Sequence, residues 1–286
     1  MDILYQLFYT VFSMSCMVLV LLPVVLLLRL LFRGHAGGTI LALWGALFLR
    51  AVCPLGMSSP VCLYEPWNRQ FHTLLRSLGL QILPDHGLLT SWRYVFLGSL
   101  RASWTYQVCA LIWIGGMVLL FLGTIGKQMR IQKKLKQNSQ CLFDRIYQSD
   151  LLAFPVRTGL GRGKIYLPEG LLAKEMKEII SFEQLRRRRR DDLWREIAFL
   201  VCCIHWWNPG IWLAYYLFWC DQNGACDAAF VKRTGMEPTR CAQVLANMKK
   251  DDERKISLSL MSSYEGNLSR RAENLLYLKK RSLWQN

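Results

Sequence analysis

The chain has 286 residues, 52% hydrophobic and 20% charged, with 36 Lys and Arg against 20 Asp and Glu for a formal net charge of +16. A mean hydropathy of +0.17 excludes a disordered polyelectrolyte, and an excess of both apolar and basic residues predicts segregation, with apolar blocks in lipid and basic blocks beside it. The pI of about 9.6 permits nucleic acid or an anionic membrane surface as a partner, and the length of the apolar blocks favours the membrane.

A helix needs about 20 mostly apolar residues to cross a bilayer core. Residues 3–28 hold no Asp, Glu, Lys or Arg, and Arg29 and Arg33 close the block. Residues 38–56 form a second block interrupted by Arg50, which near a helix end can snorkel to the interface. Residues 102–126 form a third, uncharged, between Arg101 and Lys127. The first block does not read as a cleaved signal peptide, because Asp2 precedes it and neither a basic n-region nor a small-residue cleavage site is present. Basic residues after it place its C-terminal end in the cytoplasm and the N-terminus outside. The expected organisation is a membrane domain at 1–126 with three transmembrane helices (about 3–28, 38–56 and 102–126) and an external loop at 57–101. A cytoplasmic domain at 127–286 follows, opening with a Lys- and Arg-rich segment. Arg50 is the sole Asp, Glu, Lys or Arg inside the three spans, which gives little support to a transport pathway.

Residues 197–220 are a fourth uncharged block. Were it to cross, the basic tail from Asp221 onward would be exported, which the excess of Lys and Arg disfavours. Asn208-Pro209 at its middle favours a turn. The block therefore reads as a buried or re-entrant helical hairpin, against the inner leaflet or in the cytoplasmic core; a crossing helix kinked at Pro209 is the competing reading. Trp206, Trp207, Trp212 and Trp219 fit a shallow interfacial hairpin and equally a packed core.

Cys53 and Cys62 fall near the outer face, where an oxidising space would allow them to pair. Cys16, Cys109, Cys202 and Cys203 lie in apolar blocks and read as small hydrophobes. Cys141, Cys220, Cys226 and Cys241 are expected to be reduced, and no C-x-x-C pair exists. Cys202 and Cys203, adjacent and about 100° apart on a helix, form no ready chelate, and His35, His72 and His86 belong to loops or the external side. Further along, residues 127–136 predict a basic juxtamembrane helix, Lys164-Ile165-Tyr166-Leu167 a short strand stopped by Pro168, and Leu171 to Leu185 a helix. Thr239 to Met248 and Arg271 to Leu278 are helical pieces of the tail.

Three stretches carry a family resemblance. One is Phe154-Pro155-Val156-Arg157-Thr158-Gly159 followed by Lys164 to Glu169. Another runs from Glu183 through Arg186, Arg187, Arg188, Arg189 and Arg190 to Asp191, Asp192, Leu193 and Trp194. The third is His205-Trp206-Trp207-Asn208-Pro209-Gly210-Ile211-Trp212, then Asp221-Gln222-Asn223-Gly224-Ala225-Cys226-Asp227. In order and spacing they resemble the BlaR/MecR-type integral-membrane zinc metallopeptidases, the antirepressor sensors of beta-lactam resistance. The likeness is specific from about Leu151 to Lys280. It implies a mostly α bacterial plasma-membrane protein of several passes, whose C-terminal domain is an α+β, zincin-like (gluzincin-type) cytoplasmic unit.

That family works through H-E-x-x-H on a helix: histidines at i and i+4 bind zinc, and the glutamate between them activates a metal-bound water. Zinc lowers the pKa of that water to roughly 7. Carried over by position, the first histidine is Phe182 here, the second is Arg186, and the third ligand, in a D-x-E-x-x-C-D pattern, is Asn223. Glu183 alone remains, at the general-base position, with Arg187 one turn away as an ion-pair partner. Phenylalanine does not ligate zinc, arginine stays protonated, and the asparagine amide is a weak ligand. Zinc, implied by the family, is not expected here, no other cofactor is indicated, and the chain reads as a degenerate member, a pseudopeptidase. An active enzyme with an unrecognised metal site and a truncated, non-functional homologue are the alternatives.

The resemblance also suggests what outlives cleavage. Lys164, Ile165, Tyr166 and Leu167 sit where such peptidases hold substrate on an edge strand by strand addition, with a purely structural strand as the alternative. The expected partners are the lipid bilayer, a cytoplasmic protein or peptide such as a repressor, and a second copy of the chain. Direct nucleic-acid binding is disfavoured, because five consecutive arginines point all round a helix. Those arginines read as a solvated, membrane-facing basic face or as a site for anionic headgroups. Since the chain stops at Asn286, the family's extracellular penicillin-binding sensor and the span leading to it are expected to be absent, so beta-lactam sensing is not implied.

Overall fold

The computed structural model describes residues 2–32, 37–53, 104–152, 155–158 and 163–241. The expected external loop, Cys62, the three loop histidines, Phe154, Gly159 and the tail beyond Cys241 lie outside the described residues. In chain order the elements are α1 (Asp2–Leu31), α2 (Gly37–Val52), α3 (Trp104–Gln137), β1 (Gln140–Phe143), β2 (Ile146–Ser149), β3 (Val156–Thr158), β4 (Lys164–Pro168), α4 (Ala173–Arg189), α5 (Asp191–Ile204) and α6 (Pro209–Thr234). The fold is mostly helical with one small mixed sheet.

Within α1 and α3, Thr10–Leu31 and Gln107–Gln137 are long and apolar enough to cross a membrane. Leu27, Leu30 and Leu31 on α1 and Leu111, Leu119 and Leu122 on α3 are exposed, the surface that a lipid-facing helix presents. The basic juxtamembrane segment expected at 127–136 is the C-terminal end of α3 itself. α2 has 16 residues, about 24 Å of helix against a hydrocarbon core of about 30 Å.

The chain divides into two compact units. The first comprises Met1–Leu31, Leu43–Leu120 and Leu200–Ala214. Here the fourth apolar block is broken: α5 ends at Ile204, and α6 starts at Pro209. Asn208 makes the break. Its Oδ1 accepts from the Gly210 N–H at 2.9 Å, and Pro209, with no N–H to satisfy, suits the first helical position. The Asn208 amide also donates to the Ser15 carbonyl at 2.9 Å and the Ser15 hydroxyl at 2.8 Å. The turn is further held by indoles. Trp113 Nε1 donates to the Ile204 carbonyl at 2.9 Å, and Trp206 Nε1 donates to the Trp113 carbonyl at 3.1 Å. Gly116 makes room for this approach, since a Cβ there would lie 2.5 Å from the Trp206 ring. Trp113 also packs with Val11 and Met14 of α1. His205 is buried, its Nε2 3.0 Å from the Ala51 carbonyl.

The second unit comprises Phe32–Ala42, Phe121–Phe199 and Tyr215–Asn286. Its sheet has the order β1-β2-β4-β3. β1 and β2 form an antiparallel hairpin, β2 runs parallel to β4, and β3 pairs antiparallel to β4. One apolar cluster joins Ile131 and Leu135 of α3 to Leu152, Val156 and Tyr166. Another joins Ile146 and Leu167 of the sheet to Ile179, Phe182, Cys226 and Phe230 of α4 and α6.

This topology corrects the reading of Lys164, Ile165, Tyr166 and Leu167 as a peptide-binding edge. Lys164, Ile165 and Tyr166 pair with Thr158, Arg157 and Val156 on one side, while Ile165, Tyr166 and Leu167 pair with Ile146, Tyr147 and Gln148 on the other. Backbone groups engaged on both sides are not open to an incoming strand. The outer strands are β1 and β3.

Asn208→Ala removes two donor contacts and the acceptor for a helix N-terminus from a buried site. It is expected to cost about 1–3 kcal/mol and to lower the melting temperature of the detergent-purified protein measurably.

Candidate functional site

α4 starts at Ala173, with the Glu175 carboxylate accepting from the Leu172 N–H at 3.3 Å, and ends at Arg190 in the left-handed region at φ 55°. Over this length Phe182, Glu183 and Arg186 share the buried face. Asn223 of α6 is buried opposite them. The four positions at which the resemblance expects two histidines, a general base and a third ligand are thus brought together in the second unit.

Each has a new role. Phe182 belongs to the apolar core, its ring edge-on to Phe230 at 5.3 Å. Arg186 is 3% exposed. One arm of its guanidinium donates to Asn223 Oδ1 at 3.0 Å, and the other lies 3.5 Å from Glu183 Oε1. Its Cζ sits 5.3 Å from the centre of the Phe182 ring, close enough for a cation–π contribution. A fixed monovalent cation therefore bridges α4 and α6 through the residues at the general-base and third-ligand positions. Glu183 pairs with Arg186 at i+3 rather than with Arg187 at i+4, because Arg187 points outward and is exposed.

The surroundings are rich in cations. Arg189 donates through Nε to both oxygens of Asp191, at 3.3 and 3.2 Å. Arg195 Nε donates to Gln222 Oε1 at 3.1 Å, and Gln222 Nε2 donates to the Asp191 carbonyl at 2.9 Å. Arg157, on β3, forms an ion pair with Asp192. Burial lowers the Arg195 guanidinium to about 10, with Arg186 adding repulsion, and burial likewise lowers Arg157. Both remain charged at neutral pH. Cys226, fully buried, is pushed up to about 12 by burial, partly offset by Arg186.

Zinc does not fit these residues. Phe182 offers no donor atom, Arg186 offers a positive charge in place of a lone pair, and the Asn223 oxygen is engaged by that charge. Arg157 and Arg195 interact electrostatically with Glu183 and Arg186 and add further repulsion for a dication. Among the described residues no group of three or more His, Cys, Asp or Glu is gathered to hold a metal ion. Cys202, Cys203 and His205 are each buried, in the first unit. What the site can do is hold α4 and α6 together through a buried, charge-assisted network. Sequence reasoning missed Arg157, Arg195 and Gln222 as members of this network. Arg157 lies in a motif stretch, and Gln222 adjoins a ligand position, but nothing local pairs them with residues 35 and 27 positions away (192 against 157, 222 against 195).

Arg186→Met takes the cation from a buried carboxylate and is expected to cost roughly 3–5 kcal/mol. Arg186→Lys should recover part of that, since the charge returns without the two-armed geometry; denaturant unfolding of the detergent-purified protein reads both. In the same preparation, a thiol held near 12 by burial keeps Cys226 unlabelled by iodoacetamide at pH 8 while exposed Cys141 reacts, and Cys226 labels only on unfolding.

Comparison with known proteins gives the family. The family model described as BlaR1 peptidase M56 matches residues 9–275. One curated relative, "Regulatory protein BlaR1" of Bacillus licheniformis, is 24% identical over 144 residues, which is 42% of this chain and 24% of the relative. The match thus spans about a quarter of that relative's length. With the family model covering nearly the whole chain, the chain belongs to the BlaR1 peptidase M56 family.

Proposed function

We propose that this chain is a membrane-bound pseudopeptidase that binds a protein partner without zinc-dependent cleavage. The observation that carries the reading is the Arg186 guanidinium, buried at the second-histidine position and hydrogen-bonded to Asn223, the third-ligand position. A single substitution does not reverse this, because Phe182 and Asn223 have also lost their donor groups for zinc. The retained frame argues for use rather than decay: Asp191, Asn208, Cys226 and Asp227 are buried, and the first two make specific hydrogen bonds.

In this reading α1, α2 and α3 are three spans, the N-terminus is outside, and the peptidase-like unit is cytoplasmic, as the basic residues after α1 and at the end of α3 favour. An event on the membrane side shifts the spans, and the peptidase-like unit then takes or releases an extended segment of a repressor-like protein. The Bacillus relative, a regulatory protein by name, supports a regulatory rather than a digestive role. Among the described residues β3 (Val156–Thr158) is an outer strand of the sheet, and Arg157 ties it to α5 through Asp192.

Zinc measured by inductively coupled plasma mass spectrometry on the detergent-purified full chain tests the reading. The expected result is zinc at background, rising to stoichiometric only when Phe182→His, Arg186→His and Asn223→Glu are combined. Stoichiometric zinc in the unsubstituted protein, lost on replacing Cys202, Cys203 or Cys226, would overturn it.

A further inference from the structure

The arginine run divides when the chain folds. Arg186 is buried in the site, and Arg189 is half-buried against Asp191, whereas Arg187, Arg188 and Arg190 are exposed. Arg190 ends α4, and its carbonyl accepts from the Trp194 N–H at 3.3 Å. The first turn of α5 therefore begins directly beneath it.

α5 is amphipathic in an unusual sense. Asp191 and Ala198 turn inward, while Leu193, Trp194 and Ile197 are 41%, 56% and 41% exposed. Spaced at i, i+1 and i+4, these three share one stripe of the helix. Arg190, in the left-handed region between the two helices, directly precedes the first turn of α5. Asp191 and Asp192 are taken up by Arg189 and Arg157, and Glu196, half-buried, borders the stripe. The exposed charge at the junction that precedes the apolar residues, from Arg187, Arg188 and Arg190, is positive.

A stripe of this composition left in water would waste three large apolar side chains. Apolar and tryptophan side chains on one face with arginines at its margin are the pattern of a helix lying in a membrane interface. We propose that this face of the peptidase-like unit rests on an anionic phospholipid surface. Leu193, Trp194 and Ile197 enter the boundary between headgroups and acyl chains, while Arg187, Arg188 and Arg190 hold headgroup phosphates. Two observations carry it together: the exposed apolar stripe, and the three exposed arginines of the α4–α5 junction that immediately precede it in the chain. The inference does not depend on loss of catalysis, and an active relative with the same surface would dock in the same way.

The test uses the full chain in nanodiscs of phosphatidylcholine and phosphatidylglycerol, with p-benzoylphenylalanine placed at Trp194 or, as a second position, at Ile197. After irradiation, mass spectrometry is expected to find phospholipid adducts at both positions and none at exposed Lys174 of α4. Combining Arg187→Gln, Arg188→Gln and Arg190→Gln should cut the phosphatidylglycerol adduct several-fold. The proposal is overturned by a yield no greater than at Lys174, by a yield indifferent to the three arginine substitutions, or by cross-links to polypeptide in place of lipid.

Discussion

A buried guanidinium at the crossing of two helices is the interaction on which the second unit depends. Arg186 contacts Glu183 on its own helix and Asn223 on α6, and its Cζ lies over the Phe182 ring. Burying a charge is tolerable only where partners replace water. Here a carboxylate, an amide oxygen and an aromatic ring do so together. Arg186 thereby links α4 to α6 through side chains of the chain itself.

The remaining polar residues of the unit follow from that choice. With one cation fixed in the core, the neighbouring arginines must each find an acceptor. Arg189 takes Asp191, Arg157 takes Asp192, and Arg195 takes Gln222, which in turn bonds to the Asp191 backbone. The arginines with no acceptor in this network, at 187, 188 and 190, are those at the surface. The run of five thus serves two environments, and the helical screw decides which residue meets which.

The first unit rests on a different constraint, satisfaction of backbone groups where an apolar block is interrupted. Ending α5 at Ile204 and restarting at Pro209 leaves carbonyls and N–H groups that apolar surroundings would not hydrate. Asn208 and the indoles of Trp113 and Trp212 meet three of them, at Gly210, Ile204 and Trp206. Of the tryptophans that composition alone left between an interfacial and a packing role, Trp206 and Trp212 act here as hydrogen-bond donors, and Trp207 packs edge-on against Trp113.

Much was legible locally. Uncharged blocks marked α1 and α3, Asn208-Pro209 marked the break between α5 and α6, and the position of Glu183 within a family motif marked the site. The chemistry at 182, 186 and 223 follows from side-chain identity alone, since no fold gives phenylalanine a lone pair or takes the charge from arginine. Pairing was not legible, because it joins residues distant in the chain. That Lys164 to Leu167 is enclosed by β2 and β3, that Glu183 turns to Arg186 and not Arg187, and that Arg186 reaches Asn223 were decided by the tertiary structure. Sequence determined which groups this protein has and lacks; three-dimensional packing decided which of them meet, because strand order and helix-face contacts are set by distant segments competing for the same backbone groups and the same buried space.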